Sequence, residues 1–262
     1  MLSLDLTGKT ALVGGSTQGI GLASAQAMAS LGATCILISR NEEKLKEAVK
    51  TLDVKAGQVH GYLVADYVNS EHVRAVVEDF VKNNAVHILV NNSGGPAAGS
   101  VVNAKPEEFL QAFNQHLICN HIITTLVAPG MKAAGYGRII NIISTSVKIP
   151  LKDLGVSNTI RGAVASWAKT MANELGQFGI TVNNVLPGAT STERLETIIK
   201  NKSAKTGTSL ELVEKAMMDE VPARRFGKPE EIASVVAFLA GPAAAYVNGT
   251  SIPVDGGRTG SI

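Results

Sequence analysis

Cysteine is almost missing from this chain: its 262 residues include only Cys35 and Cys119. Both lie in apolar stretches, so they read as core fillers and exclude a disulfide framework. No cluster of histidine and cysteine has the spacing of a metal site. Aromatic residues make up only 4%, with one tryptophan, and the formal net charge is +2 with no basic block. That argues against a nucleic-acid partner, which would need a basic face or an aromatic-and-arginine stripe. Long apolar runs are also lacking, which excludes a membrane-spanning helix. Met1 to Lys9 has no basic region followed by an apolar run, so no secretory signal is expected and the protein is read as cytoplasmic. What is present is 45% hydrophobic and 18% charged residues. That mix supports a large core, and the length suits one α/β domain spanning 1–262.

Short apolar runs alternate with longer helical patterns. Strands are expected at Thr10–Val13, Thr34–Ser39, Val59–Val64, Ile88–Val90, Arg138–Ile143, Ile180–Val185 and Thr250–Val254. Helices are expected at Ile20–Leu31, Glu42–Leu52, Ser70–Asn83, Glu107–Met131, Asn158–Leu175 and Pro229–Ala240. Strands apolar on both faces and separated by helices imply a parallel sheet covered on both sides. Right-handed crossovers then give a doubly wound, Rossmann-type α/β sheet of about seven strands. Thr192 to Gly227 breaks the rhythm. It is charged, and Lys205-Thr206-Gly207 interrupts its helical pattern. It reads either as an exposed helix pair or as a cover over a site.

Gly14-Gly15-Ser16-Thr17-Gln18-Gly19-Ile20-Gly21 follows the first strand and opens the first helix. Glycines allow a sharp turn and a close approach to a pyrophosphate, and the helix start offers free N–H groups. The second strand ends Ile38-Ser39-Arg40. An NAD site usually carries an acid there to hold the ribose hydroxyls. Ser39 followed by Arg40 favours NADP instead, since a guanidinium fork pairs with a 2′-phosphate.

Further segments come in order: Asp66 after the third strand, Asn91-Asn92-Ser93-Gly94 after the fourth, Asn141-Ile142-Ile143-Ser144 at the fifth, and Pro187-Gly188-Ala189-Thr190-Ser191-Thr192 after the sixth. With the glycine loop and the C-terminal Pro253-Val254-Asp255-Gly256-Gly257, the chain resembles the classical short-chain dehydrogenases/reductases nearly end to end. Arg225-Phe226-Gly227-Lys228-Pro229-Glu230-Glu231-Ile232 resembles the 3-oxoacyl-acyl-carrier-protein reductases within that family. The resemblance implies that Gly15, Ser16, Gln18 and Ile20 line the cofactor phosphates and ribose, and that Asp66 contacts the adenine. It implies that Asn92, Ser93 and Gly94 pass along the cofactor, and that Pro187, Gly188 and Thr192 frame the nicotinamide. It also implies a homotetramer, with the helices around Phe109–Met131 and Asn158–Leu175 pairing across a two-fold axis. Val164, Trp167 and Met171 fit such a contact or the core.

The resemblance fails at the chemistry. The family uses a serine, a tyrosine and a lysine, with an asparagine behind them. Ser144 matches the serine, but Ser157 stands at the tyrosine position and Arg161 at the lysine position. The asparagine position falls at His116, with Asn114 and Asn120 nearby. A tyrosine of pKa ~10 is lowered by a neighbouring cation, whereas a serine hydroxyl is a far weaker acid. Arginine keeps the charge but cannot relay a proton. The replacement donor is then His116, with its ordinary pKa near ~6.5, or Lys148 or Lys152. Two function classes remain. One is an NADP-dependent oxidoreductase with a rearranged proton donor, acting on a small-molecule or acyl carbonyl or alcohol. The other is a non-catalytic dinucleotide-binding or regulatory protein. A lyase or isomerase reusing the pocket has no positive support in the residues.

Overall fold

Along Thr10–Gly14 (β1), Ala11 and Val13 pack on one face and Leu12 on the other, all three fully buried. Burial on both faces is the mark of a central parallel strand. The computed structural model describes residues 3–261. After β1 come α1 (Gly19–Ser30), β2 (Thr34–Ser39), α2 (Glu42–Lys50), β3 (Gly61–Val64), α3 (Ser70–Val81) and β4 (Ile88–Asn91). Next are α4 (Pro106–Phe113), α5 (Cys119–Ala134), β5 (Gly137–Ile142), α6 (Gly155–Leu175) and β6 (Ile180–Pro187). The chain closes with α7 (Glu193–Thr206), α8 (Leu210–Asp219), α9 (Pro229–Ala240) and β7 (Ser251–Val254).

The strands form one seven-stranded sheet in the order β3-β2-β1-β4-β5-β6-β7. Every pairing is parallel. One face is closed by Met28 of α1, Leu45 of α2 and Val236 of α9. The other is closed by Val73 of α3, Ile123 of α5 and Ala172 of α6. This is the doubly wound α/β arrangement read from the sequence. Its strand order reverses between β1 and β4, and ligands of such folds bind at the carboxyl ends of the strands there. Among the described residues, no helix is long and apolar enough to cross a membrane.

Three elements depart from the sequence reading, each for a local reason. β3 begins at Gly61 rather than Val59, because the His60 ring takes the place of strand pairing: its Nδ1 accepts from the Cys35 amide at 3.0 Å. The helix expected over Glu107–Met131 is broken by one π-turn at Asn114–Ile118, which turns His116 into the interior at 1% exposure. Such turns insert one residue into the helical ladder and shift the faces on either side. α6 starts three residues early, at Gly155, where a side chain would meet the Val101 Cβ at 2.5 Å. Val164 of α6 is fully buried in the core, so it is not surface for a helix-to-helix contact between subunits.

A row of amides crosses the sheet just beneath its carboxyl rim. Asn91 of β4 donates to Asn141 of β5 at 2.9 Å, Asn141 donates to Asn184 of β6 at 3.0 Å, and Asn184 donates to Ser251 of β7 at 3.1 Å. These residues are also register partners in the sheet. An amide buried in an apolar sheet is tolerated only when hydrogen-bonded. The register seen is the one that makes these three bonds, while the Asn91 Oδ1 at the head of the row is buried without a partner. Asn141→Leu strands a donor of Asn91 and an acceptor of Asn184, so it should cost at least about 2 kcal/mol in denaturant unfolding. A loss below about 0.5 kcal/mol, the range of a neutral surface change, would show that the row contributes nothing.

Candidate active site

A cleft of about 1380 Å³ opens over the carboxyl ends of the strands. It runs from Ser39 and Arg40 after β2, past the glycine loop after β1, to Ser144, Ser157 and Arg161. α7 and the residue that caps it form the opposite wall, through Thr192, Arg194 and Lys202.

The glycine loop has the geometry of a phosphate cradle. Gly15 and Gly19 adopt φ of +55° and +56°, where side chains are strained. A Cβ on Gly21 would lie 2.2 Å from the Gly15 carbonyl oxygen. Asn92 braces the turn, its Nδ2 donating to the Gly14 and Gly15 carbonyls at 3.2 Å each. No side chain caps the start of α1, and its first turn holds no acid. The helix start is left for an anion. Ser16 does not line the cleft as expected. It is fully buried, and its hydroxyl donates to the Val13 carbonyl at 2.8 Å, tightening the turn from inside. Thr17 lines the cleft in its place.

The other expected cofactor contacts lie together on the cleft wall: Gly15, Gln18, Ile20, Arg40, Asp66, Asn92, Ser93, Gly94, Pro187, Gly188 and Thr192. Arg40 is exposed and makes no ion pair among the described residues. Lys44, one turn into α2, stands on the same wall. Asp66 accepts from the Val68 amide at 3.0 Å. Gln18 is tied across the cleft, donating to Glu193 at 2.8 Å. A pyrophosphate cradle, an open cationic end beyond β2 and a continuous groove toward Ser144 fit a dinucleotide that carries an extra phosphate.

At the far end, Ser144 follows β5 with its Oγ accepting from the Ser146 amide at 3.1 Å. Ser157 and Arg161 sit one turn apart on α6, and both line the cleft. Arg161 is 9% exposed and donates to the Ile142 carbonyl at 2.9 Å. Burial, reinforced by the charge of Arg194, pushes its pKa down to about 10, so it stays cationic at neutral pH.

His116 is not placed to act as the proton donor. It does not line the cleft, it shares a 2.8 Å hydrogen bond with the Ser93 hydroxyl, and its Nε2 is buried without a partner. Burial first, then the charges of Arg161 and Arg194, push its pKa down to about 2. The ring is neutral throughout the physiological range and has no imidazolium proton to give. Lys148 lies outside the cleft lining, while Lys152 belongs to it. No tyrosine substitutes for the missing phenol. Tyr62 donates to Glu42, Tyr136 to the Ala240 carbonyl, and Tyr246 is fully exposed. Tyr67 enters the cleft beside Gly14, at the glycine-loop end.

Sequence reasoning does not single out Arg194. It stands at the second position of α7, donates to the Pro96 carbonyl, and lies against Gly95. Its only signal is a charge among many in the irregular segment, and only the fold brings it onto the cleft that Arg161 also lines.

The sequence family described as enoyl-(acyl carrier protein) reductase matches residues 15–259. A tropinone reductase homolog of Arabidopsis thaliana is 33% identical over 97% of this chain and 94% of that protein. A 3-oxoacyl-[acyl-carrier-protein] reductase of Pseudomonas aeruginosa is 34% identical over 97% of this chain and 98% of its own length. The crystal structure of L-sorbose reductase from Gluconobacter frateurii, complexed with NADPH and L-sorbose, superposes with a TM-score of 0.92 at 30% identity, covering 100% of both chains.

The depressed His116 pKa has a consequence for stability. Between the ordinary value of 6.5 and about 2, the unfolded chain takes up a proton that the folded chain refuses. This contribution is therefore complete above pH 6.5 and is lost as pH falls, with a limiting slope of about 1.4 kcal/mol per pH unit. Replacing His116 with asparagine should remove about 2 kcal/mol from the stability change between pH 7 and pH 5. Denaturant unfolding at the two values checks it; identical pH slopes for wild type and variant would contradict a neutral buried ring.

Proposed function

The chain belongs to the short-chain dehydrogenase/reductase family, and on that premise we propose that it is an NADP-dependent oxidoreductase for a carbonyl or alcohol substrate, with serine and arginine in place of the family's tyrosine and lysine. The observation that carries this reading is the continuous cleft joining the glycine cradle and Arg40 to Ser144, Ser157 and Arg161. NADPH, when bound, supplies the hydride that reduces a carbonyl carbon.

The chain's own residues do the rest. Gly15, Thr17, Ile20 and the start of α1 hold the pyrophosphate. Arg40 and Lys44 hold the 2′-phosphate, and Asp66 faces the adenine. Pro187, Gly188 and Thr192 border the nicotinamide end. Ser144 and Ser157 place hydroxyls where a substrate oxygen is held. Arg161 supplies a fixed positive charge beside that oxygen as negative charge grows on it. A preorganised cation in a partly dry site stabilises such charge strongly. The proton then comes from Lys152 on the cleft wall or from water, since neither His116 nor a tyrosine is available. Thr192 to Gly227 acts as the cover. Its α7 is pinned to the body of the protein through Gln18–Glu193, Arg194–Pro96 and Lys205–Asp153.

A second reading is favoured by one observation: no residue at the Ser144 end replaces the phenol. It is a non-catalytic dinucleotide-binding protein. NADPH should bind wild type more tightly than NADH by at least about tenfold, and Arg40→Ala should remove most of that margin, the scale of one charge-assisted phosphate contact. Hydride transfer from NADPH to a panel of ketones, aldehydes and 3-oxoacyl thioesters then decides between the readings. Turnover establishes the oxidoreductase; tight NADPH binding with no turnover on any member makes the non-catalytic reading the correct one.

We also infer a homotetramer, supported by exposed Val101, Val102, Leu110 and Phe113 around α4 and by Tyr246 before β7. Sedimentation at micromolar concentration should give four chains per particle, and a monomer there would refute it.

A further inference from the structure

The cleft that reaches Ser144 holds cations that have no ion-pair partner among the described residues. Arg161 uses one N–H on the Ile142 carbonyl, and no other protein acceptor meets its guanidinium among the described residues. A guanidinium has five N–H donors. No nitrogen of the Arg161 guanidinium is buried without a partner, and Arg161 lines the cleft. Arg194 faces it from α7, with one N–H on the Pro96 carbonyl and no carboxylate partner among the described residues. Lys152 and Lys202 line the same region without an ion pair among the described residues.

Each carboxylate of this cleft has another partner, and of these Glu193, bonded to a neutral amide, keeps its negative charge. Glu193 accepts from Gln18, Asp153 pairs with Lys205 at 3.3 Å, Glu220 pairs with Arg258, and Asp66 turns to the Val68 amide near the other end. The charge of Arg194 also lowers the pKa values of both Arg161 and His116, behind the larger effect of burial. A cation nine-tenths buried and lacking an anion is costly unless a ligand supplies one. Two guanidinium forks lining one cleft suit a carboxylate, which accepts on both oxygens.

We propose that Arg161 and Arg194 form a two-sided clamp for a substrate carboxylate, so that the substrate is an oxo acid or the corresponding hydroxy acid. The inference rests on the oxidoreductase reading and narrows its substrate class. It makes Arg194 a specificity-determining residue contributed by the cover segment. A neutral ketone leaves both guanidinium groups unanswered, and an oxo acid answers them with the same contact that draws α7 onto the body of the protein.

The test has two arms that fail independently. In the first, malonate and its neutral dimethyl ester are titrated by calorimetry into the full-length protein, both free and loaded with NADP. Malonate should bind and the diester should not. Arg194→Met should weaken malonate by at least about tenfold, and Arg194→Lys, which keeps the charge, should recover part of it. In the second, NADPH-dependent turnover is compared for oxo acids and their methyl esters of equal chain length. The acids should have the higher kcat/KM by at least about tenfold, and Arg194→Met should erase the preference while leaving NADPH affinity within about twofold. Equal binding of malonate and diester would overturn the clamp, and so would malonate binding indifferent to Arg194. Loss of NADPH affinity in Arg194→Met would overturn it too, by assigning the cation to the cofactor. If NADPH fails to bind wild type, the oxidoreductase reading falls, while malonate binding to the free protein still decides whether the anion clamp exists.

Discussion

The amide row Asn91–Asn141–Asn184–Ser251 is the constraint on which the site depends. Apolar side chains on β4, β5 and β6 permit many sliding arrangements of nearly equal burial. A buried amide does not, because each unpaired donor or acceptor costs the full penalty of leaving water. Fixing those strands beneath their rim also fixes the residues at their carboxyl ends. Asn92 and Ser93 leave β4 directly above the row, Ser144 lies just past β5, and Pro187 ends β6. The cleft is the space these strand ends leave at the reversal of strand order, and its side chains hold position because the row holds the strands.

Within that frame the proposed chemistry rests on charge rather than on a phenol's proton. A phenol lowered by a lysine can donate a proton to a substrate oxygen. Serine and arginine cannot do this, since the hydroxyl is too weak an acid and the guanidinium holds its proton. Arg161 instead keeps a positive charge in a largely buried place, stabilised by the Ile142 carbonyl and open on one side. Arg194 adds a second charge from above. His116, behind Ser93, is neutral for the same reason that the two arginines remain charged: burial disfavours the ionised imidazole far more readily than a guanidinium of much higher intrinsic pKa.

The cover segment joins cofactor and substrate ends. Thr192 caps α7 through its hydroxyl and also lines the cleft. Glu193 reaches back to the glycine loop, Arg194 reaches Pro96 after β4, and Lys205 reaches Asp153 before α6. The Gln18–Glu193 and Lys205–Asp153 contacts are exposed, where a single polar or ionic pair contributes little. Such ties along one helix hold a geometry that is closed but cheap to open.

The sequence by itself determined the sheet, its helices on both faces and most of the cofactor wall, because apolar periodicity and glycine chemistry are local properties. Gly15, Asn92 and Pro187 are legible from their places after strands. That Ser157 and Arg161 stand where the family carries tyrosine and lysine is what the resemblance implies. Tertiary structure alone decided the rest. It turned Ser16 inward, where its hydroxyl satisfies the Val13 carbonyl beneath a tight turn. It sent His116 into the core through a π-turn that no spacing announces. It brought Arg194 onto the cleft that Arg161 lines, from a segment whose charges resemble ordinary surface. Burial and long-range proximity set the charge state and reach of a side chain, and neither is written in the residues next to it.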